Sequence, residues 1–272
     1  MRSLLFLFCR ITPLLALLAG CAGAPTIIDP TRLPAMPALA AADAASNDDL
    51  AAKFRALALR PEYGPDGSAF NRGTIVKWDG PITIFITAAR GVDPAAYQPF
   101  LDRQIARLAR LSGLSMRFAR RPEDANFTIA LVRRAATRKA ALDIFGHTAG
   151  ARHMARIGRC MAVVYPNERG IIRRARVFLS IDLPAIQLMS CIIEETTQAL
   201  GLLNDSDLLQ PTIFSDATVL PRLPWHDALM VAALYDPRLR PGMTSRALDA
   251  VLPAVIAEAA ARYRPVLSEN HR

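Results

Sequence analysis

The sequence lacks an apolar run long enough to cross a bilayer. Its most hydrophobic stretches lie at the start, where residues 4–8 and 14–18 are separated by Arg10 and are too short and too broken to span. Internal repeats are lacking as well, so the part after residue 47, about 220 residues, reads as one unit long enough to bury a single core. Aromatic residues make up only 7% of the chain. They are not interleaved with the arginines and no nucleic-acid motif accompanies the basic residues, so nucleic acid is not an expected partner.

What the N-terminus does carry is Arg2, the two broken apolar stretches and then Leu18-Ala19-Gly20-Cys21. Small residues at that place fit a peptidase cleft, and the Cys21 thiol accepts a diacylglyceryl group. The tetrapeptide resembles the lipobox of bacterial lipoproteins. That resemblance implies a signal peptide over residues 1–20, cleavage before Cys21 and a membrane anchor on it; an ordinary signal peptide cut near Ala22 or Ala24 is the alternative. In the sorting pattern of such lipoproteins an aspartate after the cysteine favours the inner membrane. Ala22 stands there, which implies a periplasm-facing protein of a Gram-negative cell envelope, with the outer membrane favoured. Residues 21–47, rich in Ala and Pro, read as a tether, and residues 48–272 as the domain it carries.

Cysteine is scarce, with four in the chain. If, as the lipobox resemblance implies, Cys9 leaves with the signal peptide and Cys21 takes lipid, Cys160 and Cys191 remain, and an even pair in an oxidising compartment points to a disulfide, with two buried thiols as the alternative. A bridge closing about 30 residues stabilises by roughly 3 to 4 kcal/mol in the loop-entropy model. The formal charge of +9 falls by two, to +7, once Arg2 and Arg10 are removed. Arg133, Arg134, Arg138, Lys139, Arg152, Arg156, Arg159, Arg169, Arg173, Arg174 and Arg176 carry much of it. They form either a solvated face or a surface for anionic lipid, lipopolysaccharide phosphate or acidic glycan.

Alternation predicts strands over residues 75–78 and 82–87 around Asp79-Gly80-Pro81, then over 127–132, 161–165 and 171–181. Tyr97, Phe100, Leu101, Ile105, Leu108 and Leu111 recur at helical spacing after Asp93-Pro94. A second helix is expected to start at Asp182-Leu183-Pro184 and to stop at Gly201, and two more to cover 224–235 and 244–263. Strands with one long helix, a motif helix and a helical C-terminal part make an α+β plan.

The informative segment runs Cys191-Ile192-Ile193-Glu194-Glu195-Thr196-Thr197-Gln198-Ala199-Leu200-Gly201-Leu202-Leu203-Asn204-Asp205. Its spacing resembles the zinc helix of metzincin peptidases, HExxHxxGxxH, with Glu194, Gln198 and Asn204 in place of the three histidines. Positions 194 and 198 lie one helical turn apart on one face, and a glycine at 201 lets the chain turn so that 204 comes back toward them. Downstream, Pro211-Thr212-Ile213-Phe214-Ser215-Asp216 stands where a metzincin has its methionine turn, with Phe214 in the methionine's place. Leu223-Pro224-Trp225-His226-Asp227 then leads to Leu234-Tyr235-Asp236-Pro237. Taken together, EExxQxLGLxND, the Ile-Phe turn, His-Asp and LYDPxLxPGM resemble an uncharacterised domain family of Gram-negative bacteria over about residues 60–245. The fold this implies is metzincin-like (zincin-like), a mixed twisted sheet with the motif helix beside it.

Catalytic zinc needs three strong protein ligands and an open position for water. Glu194 is able to ligate, whereas Gln198 and Asn204 are poor neutral donors. Glu195 occupies the place of the metzincin general base, which has nothing to activate without metal. No cofactor is therefore expected; zinc in an atypical site, or calcium on Glu194, Asn204 and Asp205, is the lesser alternative. Glu194 and Glu195, neighbours on a helix, point about 100° apart and make a poor acid–base pair for glycan cleavage. The resemblance implies a catalytically degenerate cleft, lined by Glu194, Glu195, Gln198, Asn204 and Asp205 and flanked by His226 and Asp227, that binds a peptide, a protein or an envelope polymer. His226-Asp227 alternatively starts a helix, and Glu194 with Gln198 alternatively serves packing. His147 and His153 receive no role. A metal-dependent hydrolase with Glu195 as base and a purely structural lipoprotein are the rival functions.

Overall fold

The computed structural model describes residues 28, 33–59, 73–146 and 159–269. Residues 1–27, with the expected signal peptide and Cys21, and 147–158, with His147 and His153, lie outside the described residues.

Five strands form one mixed sheet: β1 (Ile82–Ala88), β2 (Met116–Phe118), β3 (Phe127–Val132), β4 (Cys160–Pro166) and β5 (Ile172–Ser180). Their order is β2-β1-β3-β5-β4, parallel except for β4, which runs antiparallel to β5 at one edge. The described helices are α1 (Ala40–Asp43), α2 (Asn47–Leu59), α3 (Gln98–Ser112), α4 (Arg134–Phe145), α5 (Ala185–Gln198), α6 (Trp225–Leu234), α7 (Ser245–Asp249) and α8 (Leu252–Glu269). The architecture is α+β, and none of the described helices is long and apolar enough to cross a membrane.

Alternation along the strands sends Ile82, Ile84, Phe127, Ile129, Leu131, Ala175, Val177 and Leu179 to one side, where they join the main core with Phe100, Leu101, Leu108, Ile192, Leu229 and Ile256 from α3, α5, α6 and α8. On the other side a smaller core forms under α4, from Ala130, Met161, Val163 and Phe178 against Ala141 and Phe145. Thr137 on α4 and Ser180 on β5 share a buried hydrogen bond of 2.8 Å beneath it.

The strand expected over 75–78 is instead a strap that satisfies the ends of two helices. Trp78 Nε1 donates to the Ala199 carbonyl at 2.9 Å, and Tyr235 Oη donates to the Leu200 carbonyl at 2.8 Å while accepting from Trp78 N. Lys77 Nζ donates to the Leu234 and Leu239 carbonyls, both at 2.7 Å, and lies 4.9 Å from the Tyr235 ring centroid. The last carbonyls of a helix have no partner within it, so a buried helix end needs donors from elsewhere. Burial pushes the Lys77 ammonium down to about 8 against the pull of Asp236, and pushes the Tyr235 phenol up. Among the described residues, Thr74 and Lys77 make isolated strand-like bridges, to Thr244 and Ile171.

Three further differences have local causes. Asp182 does not cap the motif helix, which starts after Pro184; its carboxylate accepts from Arg134 N and so serves the first turn of α4. The C-terminal helix breaks into α7 and α8, because Pro253 lacks an N–H and its ring fits only the first turn of a new helix. Residues 33–46, at the end of the Ala/Pro-rich segment, pack against the helices. Arg222 donates to the Pro34 carbonyl, Trp225 Nε1 to Asp43 and Arg264 to the Ala45 carbonyl, each at 2.9 Å.

Cys160 and Cys191 are joined by a disulfide that ties edge strand β4 to the motif helix α5, with Cα atoms 5.9 Å apart and a sequence separation of 31. Removing it as Cys160→Ser with Cys191→Ser is expected to cost about 3 kcal/mol, since the bridge restricts the unfolded chain over that length. Urea titration of the two forms measures the difference, and equal midpoints would contradict the expectation.

Candidate binding site

Helix α5 ends at Gln198 and the chain turns at Gly201, which adopts φ +121°. The motif residues beyond it turn inward onto each other. Gln198 Nε2 donates to Asp205 Oδ1 at 2.8 Å, and Asn204 Nδ2 donates to the carbonyls of Ala56 at 3.0 Å and Asp205 at 2.8 Å. Asn204 N also reaches the Leu57 carbonyl, so the turn is sewn to α2. Gln104 of α3 approaches the same helix from the other side, with its amide 3.2 Å from Thr196 Oγ1. Glu195 is buried and Glu194 half-buried on α5.

Below this turn lies a polar hub closed to solvent. Lys53 of α2 and Asp227 of α6 both have side chains with 0% exposure and meet at 2.7 Å. The lysine has three protons to donate, and three acceptors surround it: Asp227 Oδ1, Thr212 Oγ1 at 2.8 Å and His226 Nδ1 at 3.0 Å. Thr212 Oγ1 donates onward to Asp227 Oδ1, and Ile213 N donates to Asp227 Oδ2, both at 2.8 Å. His226 Nε2 faces the Pro211 carbonyl at 3.2 Å, which can only accept, so we assign its proton to Nε2 and leave Nδ1 to accept from Lys53. Burial works against the Asp227 carboxylate, yet the Lys53 ammonium 2.7 Å away holds it well below the usual range. Burial pushes the Lys53 ammonium down while Asp227 pulls it up. Neither His226 nor Asp227 caps its own helix, which begins after Pro224 without a side-chain cap.

A third group rims the turn. Asp207 Oδ1 accepts from Ser215 Oγ at 2.6 Å and from Gln210 Nε2 at 2.8 Å, and Ser206 N joins the Phe214 carbonyl at 2.6 Å. Burial pushes the Asp205 carboxyl up, and repulsion from Asp216 and Asp207 outweighs the Gln198 hydrogen bond, so it stands at about 6. Its folded pKa lies above the unfolded value near about 4. It therefore contributes stability that is complete at acid pH and is lost as pH rises through about 6. Asp205→Asn keeps an acceptor for Gln198 and removes that loss. Its melting temperature should exceed the wild type's at pH 8 and match it at pH 4; an equal difference at both values would contradict the shift.

The structure thus brings Gln198, Asn204 and Asp205 together and places His226 and Asp227 in a separate buried hub, joined to them through residues 206–214. Lys53 and Thr212, which hold that hub, carry no motif in the sequence. For zinc, the test is the donor set. The side-chain amides at 198 and 204 are neutral and oriented by other partners, and among the described residues no group of three or more His, Cys, Asp or Glu is placed to hold a metal. The residues present do not fit that ion.

Residues 47–254 match the family described as Protein of unknown function (DUF2927). The match extends beyond the stretch that carries the sequence motifs at both ends. No curated protein matches the chain.

Proposed function

We propose, for a chain that belongs to the DUF2927 family of proteins of unknown function, that the domain is a non-catalytic binding module of the Gram-negative cell envelope. In this reading Cys21 carries lipid, the outer membrane is the favoured anchor and the domain faces the periplasm. The domain is a degenerate relative of the metzincins that has kept a cleft beside the motif helix and given up its metal. The observation that carries the proposal is the commitment of the motif's polar groups to internal hydrogen bonds, at Gln198–Asp205, Asn204–Ala56 and Lys53–Asp227. They hold a rigid turn instead of presenting ligands. Support for where a ligand sits comes from β4, one of the two edges of the described sheet, which pairs with β5 and is held to the motif helix α5 by the disulfide. An extended peptide adds to such an edge through main-chain hydrogen bonds.

Selection of peptides from a random display library on the full-length protein tests this. Selected peptides should bind without being cut and should slow amide hydrogen exchange at residues 160–166. Failure to enrich any peptide, or protection elsewhere with β4 unchanged, would count against a peptide cleft and in favour of a structural lipoprotein. Cleavage of the selected peptides that disappears in Glu195→Gln would overturn the non-catalytic reading in favour of a hydrolase.

A further inference from the structure

Beyond the part that α4 covers, the outer face of the sheet carries arginine and no acid on its strands. Strand register sets Arg117 beside Thr83, Phe85 beside Thr128, Thr128 beside Arg176 and Arg174 beside Tyr165. All of these alternate with Ile82, Ile84, Phe127, Ala175 and Val177, which point into the main core, so they share the opposite face. Arg117, Arg174 and Arg176 are exposed, and none of the five strands contains Asp or Glu. The Arg174 guanidinium lies 4.6 Å from the Tyr165 ring centroid and that of Arg176 lies 5.1 Å from Phe178. Stacking of this kind orders the cations before any ligand arrives. Of the acids near this face, Glu123 and Asp124, in the β2–β3 connection, pair with Arg121, and Asp79 pairs with Arg173, which is turned the other way.

We propose that this face binds an extended acidic polysaccharide, whose carboxylates pair with Arg117, Arg174 and Arg176. The arginines are about 7 Å apart along β5 and about 14 Å apart between β5 and β2, so a regularly charged chain laid across the strands meets all three. Beyond charge, the compartment narrows the occupant, on the cell-envelope reading given above: the Cys160–Cys191 disulfide belongs to an oxidising compartment, where acidic glycans are met and nucleic acid is not.

The test uses full-length protein and polygalacturonate of defined length, with dextran as the neutral control and vesicles of phosphatidylglycerol and phosphatidylethanolamine as the membrane arm. Arg174→Glu with Arg176→Glu should weaken polygalacturonate binding about tenfold and Arg117→Glu about threefold, whereas Arg262→Glu on α8 should change it less than about twofold, with circular dichroism unchanged throughout. Three results would overturn the proposal. These are equal losses for Arg262→Glu, wild-type binding no tighter than to dextran, and vesicle binding that the double variant abolishes while polymer binding persists.

Discussion

Gly201→Ala is expected to destabilise the fold by at least about 4 kcal/mol, seen as a fall of about 10 °C or more in melting temperature. A Cβ at this position would stand 2.0 Å from the Val76 carbonyl oxygen, 3.1 Å from its carbon and 3.3 Å from Leu234 Cδ2, on a backbone at φ +121°. The obstacle is backbone, and it cannot rotate away. Val76 belongs to the strap whose neighbours Lys77 and Trp78 hold the ends of α5 and α6, so relieving the clash means pulling that strap off both helices. Gly113→Ala provides the control. Its φ is +70° and nothing lies within 4 Å of the new Cβ, so it should cost only about 1 kcal/mol from backbone conformation. Equal losses for the two variants would show that the approach of strap to turn does not constrain position 201.

Lys53→Met is expected to cost about 3–5 kcal/mol, because it leaves the Asp227 carboxylate buried without its cation. A second change should then recover stability: Lys53→Met with Asp227→Asn should be more stable than Lys53→Met alone, since the uncompensated charge is gone. The pH dependence carries a further sign. The Asp227 pKa is depressed in the folded state, so its contribution is present above the ordinary carboxylate range and is lost as pH falls through and below about 4. Asp227→Asn should therefore flatten the acid limb of the stability curve between about pH 4 and pH 2. Urea unfolding of the four forms across that range measures both effects. Additive losses in the double variant would mean that the two side chains do not act as a pair.

Much of this fold is legible from residue order. The period-two runs at 82–87, 127–132 and 161–165 sit in strands, and the Tyr97 to Leu111 stripe sits in α3, because in each case one periodic face enters a core. The cysteine pair was legible too, from the redox argument alone. The strap at 74–78 was not. Its apolar residues alternate like a strand's, yet its backbone pairs only briefly, with residues 170–172 and 242–243, and its Lys77 and Trp78 side chains go to helix ends whose positions depend on the tertiary fold. Helix α2 was missed although Ser46 and Asp49 form a reciprocal cap at its start, with Ser46 N donating to Asp49 Oδ2 and Asp49 N to Ser46 Oγ. Helix α4, inside an arginine-rich stretch, buries only Thr137, Ala141 and Phe145 and leaves little apolar stripe to read.

The candidate site divides in the same way. Gln198 and Asp205 stand out by spacing, and the structure joins them. Lys53 has no such signal: in Asp49-Leu50-Ala51-Ala52-Lys53 it looks like a solvated helix position, and only a partner 174 residues away makes it fully buried. His226-Asp227 looks like a helix start, whereas the carboxylate reaches across to the 212–213 turn.

Metal content tests most directly whether internal hydrogen bonds have replaced a zinc site on α5. Elemental analysis of full-length protein purified without chelator should find zinc far below one per chain, and added zinc should leave the melting temperature unchanged. One zinc per chain, with a melting temperature that rises on zinc addition and falls in Glu194→Gln, would contradict the non-catalytic reading.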